Sequence, residues 1–208
     1  MGRGRLVLSP QSQYWSTSIM PSTSWNWATQ SRFPSFCLLL ARPKSREVLL
    51  EAYGADPQRA AEMTLAEAHM QALNQGAGTF LRVGTLGDWS FCYENRDLLG
   101  ITDHVRTAAS REGEAIILFK GGDGTNTMER MQNGQRVELF EPHRPADVQG
   151  EGPFTLSALV DDQLAADPGI LGMSAATQVL TENYGVELSR ESLEGILLTY
   201  FSSSTGEH

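Results

Sequence analysis

From Gly78 to Phe119 the chain alternates and then condenses. In Gly78-Thr-Phe-Leu-Arg-Val-Gly-Thr-Leu-Gly-Asp-Trp-Ser-Phe-Cys-Tyr-Glu-Asn95, Trp89, Phe91 and Tyr93 share one face and Ser90, Cys92 and Glu94 the other. A period of two marks β-strands. Gly84-Thr-Leu-Gly-Asp88 reads as the turn between two of them, because glycine enters positive φ without steric cost. After a helix that Thr102 can cap, with Val105, Ala108 and Ala109 inward, Ala115-Ile-Ile-Leu-Phe119 is apolar throughout and reads as a central strand. A second hairpin follows, Thr127 to Met131 and Arg136 to Phe140, turning at Asn133-Gly134.

Upstream, Phe36-Cys-Leu-Leu-Leu-Ala41 is a short continuous apolar run suited to a strand buried on both faces, ended by Pro43. Ser45 caps a helix with Val48, Leu49, Ala52 and Tyr53 on one stripe and Gly54 as its stop. Thr64-Leu-Ala-Glu67 is a capping box for the next, whose inner face is Leu65, Ala68, Ala72 and Leu73. Glu141 to Pro153 is polar and reads as an irregular crossing. Helical spacing then recurs in Leu156, Leu159, Val160 and Leu164, in Val179 and Leu180, and in Leu193, Ile196, Leu197 and Tyr200 behind Ser189. The expected fold is α+β: a mostly antiparallel sheet of about five strands, helices packed on one face, and a C-terminal helical cap. Residues 1–24 read as an N-terminal extension, 25–201 as a single domain and 202–208 as a frayed tail.

Charge narrows the partners. The 208 residues carry a net −9; six bases and no acid precede Glu47, and ten bases against 25 acids follow. An acidic body does not suit nucleic acid, which demands clustered Lys and Arg. No segment reaches the ~18 apolar residues of a membrane span, and Leu6-Val7-Leu8 is too short for a signal peptide. Cytoplasmic location is the expectation. Cys37 and Cys92 lie in apolar strands and read as buried core thiols rather than a disulfide framework.

Candidate chemistry is sparse. Gly121-Gly-Asp-Gly124 lacks the Lys and Ser/Thr of a phosphate loop, having Thr125-Asn126-Thr127, and reads as a turn. Neither His69 nor His104 has a metal-ligand neighbour at the required spacing. His143 stands with Glu141, Arg144 and Asp147, the one place where acid, imidazole and guanidinium cluster locally. Trp89 and Tyr93 are either core or an aromatic platform for a partner. Glu94 and Asn95 close the hairpin strand. The candidate binding residues are therefore Trp89, Tyr93, Glu94, Asn95, Glu141, His143 and Arg144, with no catalytic set, metal or cofactor assigned.

Several of these segments together resemble the small, mostly actinobacterial proteins of domain-of-unknown-function family 6461. The likeness is carried by Trp27 before Phe36-Cys37-Leu38, by Glu47-Val48-Leu49 running to Gly54-Ala55-Asp56, and by Gly87-Asp-Trp89 leading to Glu94-Asn95. It continues through the strand ending at Phe119, Phe140-Glu141-Pro142 with Arg144, and Leu197-Leu198-Thr199. Arg96-Asp97 and Gly121-Gly122 depart from the family pattern. The resemblance implies a shared fold and an actinobacterial source, and no particular activity. On the residues themselves, the leading expectation is a non-catalytic module that binds another protein, as an immunity-type or regulatory partner. Two alternatives stand beside it: a small-ligand binder or enzyme using the polar loop 141–147 against the 84–95 hairpin, and a subunit docked through its N-terminal extension.

Overall fold

The computed structural model describes residues 25–96 and 98–202. Among them lies one nine-stranded antiparallel sheet, ordered β2-β9-β3-β4-β1-β5-β6-β7-β8. Its strands are β1 (Phe36–Arg42), β2 (Ala61–Met63), β3 (Thr79–Leu86), β4 (Trp89–Glu94), β5 (Glu114–Lys120), β6 (Asn126–Gln132), β7 (Gln135–Glu141), β8 (Arg144–Gln149) and β9 (Leu197–Ser202). The helices are α1 (Asn26–Thr29), α2 (Arg46–Ala52), α3 (Leu65–Gln75), α4 (Asp103–Ser110), α5 (Thr155–Ala166), α6 (Gly172–Tyr184) and α7 (Arg190–Glu194). Residues 1–24 lie outside the described residues, and with them Tyr14, Trp15 and the expected extension.

The sheet is central because β1 is apolar on both sides. Phe36, Leu38 and Leu40 enter one core, with Trp27, Phe80, Trp89, Phe91, Tyr93, Ile116, Leu118 and the inner faces of α3, α5 and α6. Cys37, Leu39 and Ala41 enter a second core, with Leu49, Leu50, Tyr53, Val105, Ala109, Ile117 and Phe119. We call these the first and second faces. A strand apolar on both sides can be stabilised only if both sides are covered. Helices on a single face are thus corrected to helices on both: α2 and α4 on the second, α1, α3, α5, α6 and α7 on the first.

The strand count is corrected from about five to nine. Three strands carry no alternating apolar signal. β2 is only three residues long, and β8 falls in the polar stretch expected to be an irregular crossing. The third, β9, takes only the end of the expected C-terminal helical cap: α5, α6 and α7 are helices and Ser189 caps the last, but α7 stops at Glu194, and Leu197–Ser202 inserts between β2 and β3. The spacing of Leu193, Ile196, Leu197 and Tyr200 mimics a helix across a helix–strand junction, and Ile196 points to solvent.

Local signals fared better at caps than at faces. Thr64 and Glu67 form the reciprocal capping box, and Ser45 accepts the Val48 N–H. The stripe on α2 is rotated, however, burying Leu49, Leu50 and Tyr53 and exposing Val48, while Leu73 on α3 is 75% exposed. The β3–β4 connection is tighter than the expected five-residue turn. It is Gly87-Asp88, with Gly87 at φ +59°. Gly84 instead lies within β3, where a Cβ would stand 2.6 Å from the Phe91 ring.

Candidate functional site

Four of the seven expected site residues are structural in placement. Trp89 and Tyr93 are 2% and 3% exposed on the first face. Tyr93 packs among Trp27, Phe33 and Phe36, and the Trp89 ring lies against Tyr184 on one side with the Arg42 guanidinium 4.4 Å from its centroid. Glu94, fully buried, accepts the N–H groups of Leu99 at 3.1 Å and Gly100 at 3.0 Å, which anchors the short helical turn Leu99–Ile101. Gly100 is required there, since a Cβ would meet Cys37 Sγ and Tyr53 Oη at 2.6 Å. Asn95 Oδ1 accepts the Phe80 N–H and closes the β3–β4 ladder.

Glu141, His143 and Arg144 form a separate group at the β7–β8 turn. Glu141 Oε2 lies 2.9 Å from an Arg144 guanidinium nitrogen and 3.1 Å from His143 Nε2. The Arg144 charge is held by Glu141, which raises its pKa further. Glu141 and Arg144 also line a shallow depression of about 270 Å³ with Thr127, Leu139, Asp147 and Gln149. The structure does not bring this loop to the 84–95 hairpin. β1, β5 and β6 separate β4 from β7, four strand spacings or about 19 Å. Alternating strand directions also put the Gly87-Asp88 tip at the opposite end of the sheet from the β7–β8 turn.

Two charge ladders run across the sheet. On the first face, Arg42 donates to Glu114 Oε2 at 2.7 Å, Arg130 Nε to Glu114 Oε1 at 2.7 Å, and Arg130 also reaches Glu138 at 3.5 Å. Glu138 in turn accepts the N–H groups of Leu156 and Ser157 and the Ser157 hydroxyl, so a strand carboxylate caps the otherwise uncapped α5 and complements its dipole. On the second face Glu129 accepts from Arg106 and Arg136. Registers Arg42↔Glu114 and Arg130↔Glu138 show these as cross-strand pairs, invisible until pairing is known.

Arg82 is a fully buried charge outside both ladders. It donates to the carbonyls of Met63, Leu193 and Gly195 and to Thr199 Oγ1, tying β2, α7 and β9 to β3. Burial lowers its pKa to about 10. Burial pushes the Cys37 and Cys92 thiols well up, so both stay protonated. Among the described residues no group of three His, Cys, Asp or Glu side chains is placed to hold a metal ion. No helix there is long and apolar enough to cross a membrane.

The sheet's two ends differ. Among the described residues β2 offers three residues of free edge, while β8 offers six, Arg144–Gln149, most of them exposed. α5 covers β7 and β8 on the first face. The main helices of the second face, α2 and α4, pack over β1, β3, β4, β5 and β6, leaving the depression of Thr127, Leu139, Glu141, Arg144, Asp147 and Gln149 open beside that edge. Trp25, the first described residue, donates its indole N–H to Thr181 of α6.

The model of a family of unknown function (DUF6461) matches residues 22–182. No curated protein and no solved structure matches the chain.

Proposed function

This chain belongs to the DUF6461 family, whose function is unknown, and from its own geometry we propose that it is a non-catalytic recognition module that binds another protein through the β8 edge and the open second face beside it. The observation that carries the reading is the asymmetry of cover. Among the described residues every inner strand has neighbours on both sides and the sheet is helix-packed over most of both faces, whereas β8 has no strand on its outer edge and an open second face. Free strand edges present rows of unpaired N–H and C=O groups, and adding a strand there is a recurrent mode of recognition. Glu141, His143 and Arg144 then serve as the polar rim of the interface, where contacts set orientation and on-rate more than affinity. An immunity-type or regulatory partner in the cytoplasm fits this use, and the two buried, unpaired thiols suit a reducing compartment.

A pull-down from the native host tests it, using the wild-type chain, an Asp147→Arg/Gln149→Arg variant and a Glu62→Arg variant on the opposite edge. Residues 62, 147 and 149 are all exposed, so the fold is expected to persist. A partner held by wild type and Glu62→Arg but released by the β8 variant is the expected result. Equal capture by all three overturns the proposal.

A further inference from the structure

Resting on that reading, we propose that the occupant of the β8 edge is an extended, positively charged segment of a partner protein. The chain from Pro145 to Ser189, which contains β8 after its first residue together with α5 and α6, carries seven acids and no Lys, Arg or His, and Arg144, which opens β8, is paired with Glu141. Asp147, Glu151, Asp161, Asp162, Asp167, Glu182 and Glu187 are all exposed. Since the whole chain carries −9, this stretch supplies −7 of it. α5, which carries the exposed carboxylates Asp161 and Asp162, packs directly on β8.

The edge supplies the docking geometry and the carboxylates select what docks. Edge strands recruit like copies unless guarded. Here Pro145 removes one N–H, the pairing with β7 shifts register between Leu139 and Glu141, and a second copy would bring seven more acids against these seven. A basic segment meets none of that repulsion and gains from it, because opposite charges within a Debye length of ~8–10 Å attract. The same potential repels nucleic acid and anionic lipid surfaces. The other edge, β2, is half as long, and its neighbour α3 has no comparable excess of acid.

Two labelled decapeptides test this with the full chain: one alternating lysine with valine, one alternating glutamate with valine. Binding is followed by fluorescence anisotropy at 50 and 300 mM salt, and amide hydrogen exchange is read across residues 144–149 with and without peptide. The lysine peptide is expected to bind and to slow exchange in β8, with affinity falling about tenfold at the higher salt. The Asp147→Asn/Asp161→Asn/Asp162→Asn variant, its fold checked by circular dichroism, is expected to lose about tenfold as well. The glutamate peptide is expected not to bind. Equal binding of both peptides with β8 protected overturns the basic partner while leaving edge recognition standing. Salt-sensitive binding without β8 protection, or no binding of the lysine peptide, overturns the inference outright, and the host pull-down separately decides the edge reading.

Discussion

Replacing Arg82 with methionine removes the tie that holds the C-terminal strand to the sheet. The guanidinium is fully buried and makes four hydrogen bonds, of 3.1 Å to Met63 O, 3.1 Å to Thr199 Oγ1, 3.3 Å to Leu193 O and 2.6 Å to Gly195 O. No carboxylate forms an ion pair with it among the described residues. With a pKa of about 10 it remains a cation at pH 7. Methionine fills much of the volume but donates nothing. Each buried acceptor left unpaired costs about 1–3 kcal/mol. Relief of the guanidinium's desolvation returns several kcal/mol. Four acceptors at roughly 2 kcal/mol each, less about 4 kcal/mol returned, leave a net loss of about 4 kcal/mol. That is a large part of the ~5–15 kcal/mol available to a typical domain. Urea unfolding measures the total, and hydrogen exchange locates it: amides of Leu197–Ser202 and Ala61–Met63 should lose protection before those of β1 and β5. A loss under about 1 kcal/mol, or unchanged protection in β9, would refute the reasoning.

The remaining predictions concern packing, capping and acid stability. Gly84→Ala places a Cβ 2.6 Å from Phe91 Cε1 and 3.0 Å from Leu197, and should cost about 1–3 kcal/mol by overpacking in urea titrations. Glu138→Leu leaves Arg130 without one of its buried partners and the α5 N–H groups without a cap, so a loss of about 3–5 kcal/mol is expected, with α5 exchanging fastest. Hydrogen bonds from Thr64 hold the Glu67 carboxyl below its ordinary pKa. Its contribution is therefore complete above the unfolded value of about 4.3 and is lost as pH falls through the lower folded value. Glu67→Gln should accordingly flatten the acid limb of stability against pH and leave the neutral-to-basic limb unchanged.

Six of the nine strands were legible because their apolar residues either alternate or run unbroken. The same runs held a message about layers: Phe36 to Ala41 cannot be buried on both sides with helices on one side only. β9 escaped because Leu193, Ile196, Leu197 and Tyr200 satisfy helical spacing while straddling Gly195, where the backbone turns extended. β8 escaped because a free edge tolerates Pro145, Asp147 and Gln149, so its composition matches a loop. At the site, the cluster of Glu141, His143 and Arg144 was legible because its members are sequence neighbours. The buried roles of Arg82, Glu94 and Glu138 were not, since their partners are mostly main-chain groups set by the tertiary fold. Trp89 and Tyr93 showed their alternation plainly, but which helices covered that face depended on α1 and α6, far along the chain.

The measurement that bears most directly on β8 as the recognition edge is site-specific photocrosslinking in the native host. A benzophenone side chain is placed at Gln149 on β8 or at Glu62 on β2, both exposed and both on terminal strands of the sheet. A discrete crosslinked product from position 149, absent from position 62 and abolished by adding Asp147→Arg, is the predicted result. Crosslinking from position 62 alone, or equally from both, would contradict it.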